Sequence, residues 1–157
     1  MNALALDTGW RQAHLGYWLT LALQKFDARV LSLMAGNDRV PLALANLAAR
    51  GQLTASHLHI TRHLALGGAR PSDLARQVGV SKQAMGKLVD QCEAWDMVQR
   101  LTDPHDARAR CIKFTATGLA WLKAFEEAVV QAEAELKLAV GQEVATVIAI
   151  GLEAYAA

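Results

Sequence analysis

Apolar residues at Leu15, Trp18, Leu19, Ala22, Phe26, Val30 and Leu33 recur every three or four positions. That is the spacing of one face of an α-helix, and it predicts a long amphipathic helix over 10–35. Asp7 or Thr8 is its expected N-cap, and Gly36-Asn37-Asp38 ends it. Pro41 at a first helical position and Gly51 after Arg50 bracket a short helix over 42–49. Thr54 or Ser56 caps a third helix with Leu58, Thr61 and Leu64 turned inward, stopped by Gly67-Gly68. Ser72 caps a fourth helix through Gln77, and Gly79 ends it with the tight turn of a helix-turn-helix. Ser81 caps a fifth, whose inward face is Met85, Leu88, Val89 and Cys92. Two short strands, 97–101 and 110–115, flank a polar tip at Asp103-Pro104. Thr117-Gly118 restarts the chain into a long helix through Val140, and Gly141 separates it from a last helix over 143–155. The fold class expected is mainly α with a small β-hairpin wing.

A capped helix followed by a basic hairpin is how a winged helix-turn-helix presents one element to the DNA major groove and another to the backbone or minor groove. The face of the fifth helix opposite its core residues carries Lys82, Gln83, Gly86 and Lys87. Glutamine can pair bidentately with adenine, lysine can contact guanine or phosphate, and Gly86 lets the backbone come close. Ser72 and Ser81 stand at helix N-termini, where backbone N–H groups favour a phosphate. In the tip, the Asp106 carboxylate is placed to hold the Arg108 guanidinium out toward a minor groove, with Arg110 reaching flanking phosphates.

Bulk numbers narrow this reading. The 157 residues suit a single domain over 1–157, and 53% hydrophobic with 20% charged residues is globular. A net charge of +1 offers no general attraction to nucleic acid, so binding must come from placement. Between Arg70 and Arg110 stand seven Lys and Arg with six acids among them. Two cysteines, Cys92 and Cys111, argue for a reducing compartment rather than a disulfide scaffold. The first residues carry no basic leader and the apolar runs are short, so a cytoplasmic protein without membrane contact is expected. The stretch 119–150 has more apolar face than a small winged domain can cover. That points to a two-fold homodimer built from the helices of 8–50 and 117–157 around a DNA-binding region at 53–116.

Leu53-Thr54, Asp73-Leu74-Ala75, Val80-Ser81-Lys82-Gln83-Ala84, Leu88-Val89-Asp90, Val98, Arg100, Asp103-Pro104 with Asp106 and Arg108, and Thr115 with Gly118 resemble the MarR-type regulators of transcription over 53–122. The resemblance implies an obligate homodimer with a winged helix-turn-helix in each subunit. It implies a repressor of a pseudo-palindromic operator, relieved by a small phenolic or aromatic carboxylate bound between the DNA-binding and dimerisation regions. Asp96 stands where the family usually has glycine, and the helix at 41–50 looks like an insertion.

An aromatic acid needs a cationic or hydrogen-bonding group beside an apolar wall. Arg11, His14, Tyr17 and Trp18 share the start of the first helix, and His57 with Thr61 could add a second wall. His59 and His63, four apart, have a workable metal-ligand spacing, but no acidic or cysteine ligand is near in sequence, so no metal or cofactor is expected. A metal-responsive regulator of the same fold is therefore the lesser alternative. A winged-helix protein-interaction module is another. No nucleophile–base pair, phosphate loop or paired acidic motif points to an enzyme.

Overall fold

The computed structural model describes residues 8–157. Asp7, one of the two expected N-caps, lies outside them. The other, Thr8, precedes a short 3-10 turn, Gly9–Gln12, and makes no side-chain cap. The first long helix starts later than its periodicity suggests: α1 is Leu15–Ala35, capped by His14, whose Nδ1 accepts from the Tyr17 N–H at 3.2 Å. A short helix, α2 (Leu42–Ala49), follows Pro41, which is its N-cap rather than its first helical residue. Next come α3 (Ala55–His63) behind Thr54, α4 (Pro71–Val78) and α5 (Lys82–Ala94). Ser72 does not cap α4. Arg70 holds that position, and Pro71 opens the helix, where its missing N–H costs nothing.

The hairpin is longer than expected. β1 (Val98–Asp103) pairs antiparallel with β2 (Asp106–Phe114), so only Pro104-His105 remain as the turn. Asp106, Arg108 and Arg110 thus belong to a strand. Ala69 adds a minimal third strand by exchanging both backbone hydrogen bonds with Ile112, at 3.0 and 2.8 Å. Alternation alone does not reveal a one-residue strand. Two helices complete the chain, α6 (Ala116–Val140) and α7 (Gln142–Ala156), separated at Gly141.

One core joins these elements. Val30 and Met34 of α1, Leu44 of α2, Leu58 and Ile60 of α3, Leu74 of α4, Met85, Val89 and Cys92 of α5, Ile112 of the wing and Trp121 of α6 are buried in it. The indole N–H of Trp121 donates to Thr61 Oγ1 at 3.1 Å, which satisfies both polar groups inside the core. Arg29 forms a fork to Glu135 (2.7 and 2.8 Å), and Arg39 reaches Glu127 at 2.7 Å. From Arg29 in α1 to Arg39 beyond its end, the partners run back from Glu135 to Glu127, so this segment runs antiparallel to α6. The fork, with help from Gln131, holds the Glu135 carboxyl down at about 2. Buried Asp27 is met by Arg62, whose guanidinium also lies 5.8 Å from the Phe125 ring centre.

Trp18 is 56% exposed, and from Leu15 to Lys25 no residue of α1 is buried, so this part of the apolar stripe is uncovered among the described residues. On α7 only Ala145 is buried, while Val144, Val147, Ile148, Ile150, Leu152 and Tyr155 face solvent. Among the described residues, no single helix is long and apolar enough to cross a membrane.

Candidate nucleic-acid interface

The turn between α4 and α5 is set by Gly79, which adopts φ +78°, a region that a Cβ makes costly. Its N–H returns to Ala75 O at 2.9 Å, and the Val80 N–H does so at 3.0 Å. This closes α4 and aims the next segment across it. Ser81 then caps α5, its Oγ accepting from the Ala84 N–H at 3.1 Å. With Met85, Val89 and Cys92 inward, Lys82, Gln83 and Lys87 stand in solvent. None of the three forms a side-chain hydrogen bond or ion pair among the described residues. A Cβ at Gly86 would meet nothing within 4 Å, so that stretch of helix is open to close approach.

The six acids of this region do not dilute its charge evenly. Asp90 and Glu93 both grip Arg100, tying the end of α5 to β1. Asp73 pairs with Arg76 at 3.1 Å, and Asp103 accepts from Arg70 Nε at 2.6 Å. Asp96 accepts from Thr117 Oγ1 at 2.7 Å through Oδ2. It has φ +58° and is the one described non-glycine residue with positive φ, so aspartate fills a left-handed position that glycine takes more easily. Among the described residues, Lys82, Lys87 and Arg108 are left without a carboxylate partner, and Arg110 donates only to neutral Thr102, at 2.8 Å. A chain of net charge +1 thereby shows a basic strip along one helix face and one strand.

The wing is pinned at its root. Asp103 accepts from the His105 backbone N–H at 2.8 Å and from Arg70, and these two contacts lower the pKa of its carboxyl. Asp106 does not hold the Arg108 guanidinium, contrary to expectation. Its Oδ1 accepts from the Arg108 backbone N–H at 3.0 Å, and its Oδ2 lies 4.0 Å from Arg70 Nη2. The short span from Asp106 to Arg108 favours this local backbone bond and leaves the guanidinium free. Ser72 sits half-buried in the first turn of α4, one residue inside the helix.

The residues expected to bind an effector do not converge within one chain. Arg11 and His14 are exposed around the start of α1, in a chain of ring contacts that runs Trp10–His14 (6.1 Å), His14–Tyr17 (6.4 Å) and Tyr17–Trp18 (5.2 Å). His57 and Thr61 are buried on α3 with their polar atoms committed. His57 bonds Thr54 and Gln91, and Thr61 bonds Trp121. Thr61 alone lines a groove, about 790 Å³ in volume, with Arg62, Leu122, Lys123, Phe125 and Val129. Sequence spacing overlooked this groove because its two walls, α3 and α6, are 60 residues apart.

His59 and His63 gain no third ligand: no group of three metal-ligating side chains occurs among the described residues. Burial pushes the Cys92 thiol up to about 12, far from the thiolate form. A thiol reagent at pH 7.5 is therefore expected to modify at most Cys111 in the native protein. Labelling at Cys92 before unfolding would overturn that.

Residues 51–109 match the model of the MarR family. Among solved structures, the chain is similar to the transcriptional repressor CouR bound to a 23-mer DNA duplex, with TM-score 0.68, 20% identity, and 97% of this chain and 99% of that one covered. Wild-type MarR from E. coli in its apo form gives TM-score 0.67 at 21% identity over 90% of this chain and 96% of that one. A cysteine-to-serine mutant of E. coli MarR complexed with operator DNA gives 0.65 at 21% over 89% and 92%. No curated protein sequence matches the chain.

Proposed function

We propose, from the premise that this chain is a MarR-type winged-helix protein, that it is a homodimeric transcription regulator that binds a pseudo-palindromic DNA operator as a repressor. The observation that carries this reading is the sorting of charge. Local acids neutralise Arg70, Arg76 and Arg100, while Lys82, Lys87, Arg108 and Arg110 stay available on the exposed face of α5 and on β2. Lys82, Gln83 and Lys87 enter the major groove with Gly86 against the bases, and Ser72 and Ser81 meet phosphates at their helix starts. Arg108 and Arg110 follow the wing into the adjacent minor groove or backbone, with Asp106 shaping the strand that carries them. The exposed apolar faces of α1, α6 and α7 support dimerisation, which sets two recognition helices about one DNA turn apart. No catalytic role is part of this reading.

The effector is a small aromatic or phenolic acid. The groove beside Thr61 supports this chemistry, since Phe125 and Leu122 offer an apolar wall while Arg62 and Lys123 offer cations. Both cations already face carboxylates, Asp27 and Glu126, so an entering acid competes with those pairs. The Arg11, His14, Tyr17 and Trp18 cluster remains a second surface for the same ligand class.

Selection of bound sequences from random duplex DNA tests the reading. The expected result is an inverted repeat with half-sites about one turn apart. No enrichment by folded dimer, with or without aromatic acids, would move the fold to a protein-interaction role. On the enriched operator, Arg108→Ala should weaken binding to all sequences and lower the salt slope by about 1. Gln83→Ala should instead relax preference at one base per half-site by about 1–3 kcal/mol. Identical behaviour of the two variants would refute the division of labour.

A further inference from the structure

The recognition helix is held by a polar contact as well as by its apolar face. His57, buried in the first turn of α3, spans from the start of its own helix to α5. Its Nδ1 lies 3.0 Å from the Thr54 backbone nitrogen, which can only donate, so Nδ1 must be the unprotonated acceptor. The ring proton is therefore on Nε2 and is donated to Gln91 Oε1 at 3.0 Å, while the Trp95 ring lies 4.8 Å away, centre to centre. One imidazole in one tautomer thus completes the α3 cap and fastens the far half of α5.

Thr54 faces this ring from its own helix, and Gln91 and Trp95 face it from α5. None of these is charged, and no ionisable side chain acts on it. Burial is the largest influence on its pKa and outweighs the opposing hydrogen bonds with Gln91 and Thr54, so the direction is downward. Imidazolium carries a proton on both nitrogens. Protonation would turn the Nδ1 end into a donor facing the Thr54 N–H at 3.0 Å, so that contact is lost, and the ring turns toward Thr54 Oγ1, 3.1 Å from Nδ1, which can accept. That turn disturbs the contact the ring gives Gln91 and Trp95.

We propose that His57 is a positioning residue that seats the recognition helix only as a neutral imidazole, so that mild acidification loosens α5 and weakens operator binding. This rests on the DNA-binding reading above, and it deepens that reading by naming a proton as a regulator.

Histidine NMR on the full-length protein tests the latch without DNA. His57 should show the Nε2–H tautomer, titrate below about 6.5, and move the Trp95 indole and Gln91 amide resonances with the same midpoint. Operator binding from pH 7.5 to 5.5 should weaken by up to tenfold per pH unit below that midpoint. His57→Asn keeps an acceptor near Nδ1 but cannot titrate, so its affinity should stay level or rise as the pH falls. Gln91→Glu places a carboxylate against Nε2, which stabilises imidazolium and should raise the midpoint. Equal pH profiles for wild type and His57→Asn, or a Trp95 resonance indifferent to His57, would overturn the proposal. Absence of DNA binding at every pH would sink the regulator reading, and the resonance arm would still decide the latch.

Discussion

Gly118→Ala is expected to remove a large share of the stability of the fold. Gly118 is buried in the first turn of α6, and a Cβ there would stand 1.9 Å from the Met97 backbone oxygen, 2.9 Å from its carbonyl carbon and 3.0 Å from Phe114 Cδ1. Met97 O is not free to yield, because it accepts from the Thr115 N–H at 3.1 Å and anchors the residue that caps α6. Relief requires more than an ångström of backbone motion where α5, the wing and α6 meet. Such overpacking against backbone costs about 3 kcal/mol or more, a large share of the roughly 5–15 kcal/mol that holds a domain together. Gly86→Ala is the control: it meets open space in mid-helix and should stabilise by about 0.5–1 kcal/mol. Urea denaturation of both variants decides the matter, and a Gly118→Ala protein as stable as wild type would overturn the argument. If Gly86 meets DNA, the alanine should also reduce operator affinity while raising stability.

Val147→Glu combined with Ile148→Glu is expected to give a folded monomer that binds operator poorly. Both side chains are exposed on α7, Val147 at 69% and Ile148 at 44%, so the substitutions touch nothing in the core of one chain. In a two-fold dimer each change occurs twice, and every unpaired carboxylate buried at the interface costs several kcal/mol. The dissociation constant should rise by about three decades or more, since 1.4 kcal/mol is a factor of ten. Sedimentation velocity with circular dichroism distinguishes a folded monomer from an unfolded chain. A variant that still sediments as a dimer would place the interface elsewhere, on α1 or the end of α6.

The elements that could be read in advance are those set by near neighbours in the chain. Ser81 as a cap, Gly79 as a left-handed stop, the α2 bracket from Pro41 to Gly51 and the inward face of α5 each need only a few adjacent residues to be satisfied. α1 starts later than its periodicity suggests because His14, an uncommon cap, wins over Thr8. The exposure of Trp18 is not legible in the sequence, because a helical stripe shows which residues share a face and not whether that face is covered within the chain.

The same boundary separates the two kinds of knowledge about function. A capped helix, a basic wing and the residue types able to read DNA are properties of short segments, because hydrogen-bond caps and side-chain periodicity act over one or two turns. Which cations remain free is not such a property: Arg70 and Asp103 are 33 residues apart, and their contact depends on how α4 lies against the hairpin. His57 reads in sequence as a ligand group, yet Thr54 takes its Nδ1 and Gln91, 34 residues away, takes its Nε2. Charge neutralisation and burial depend on distance through space, so the packing of helices and wing had to be known before the free cations and the histidine latch could be identified.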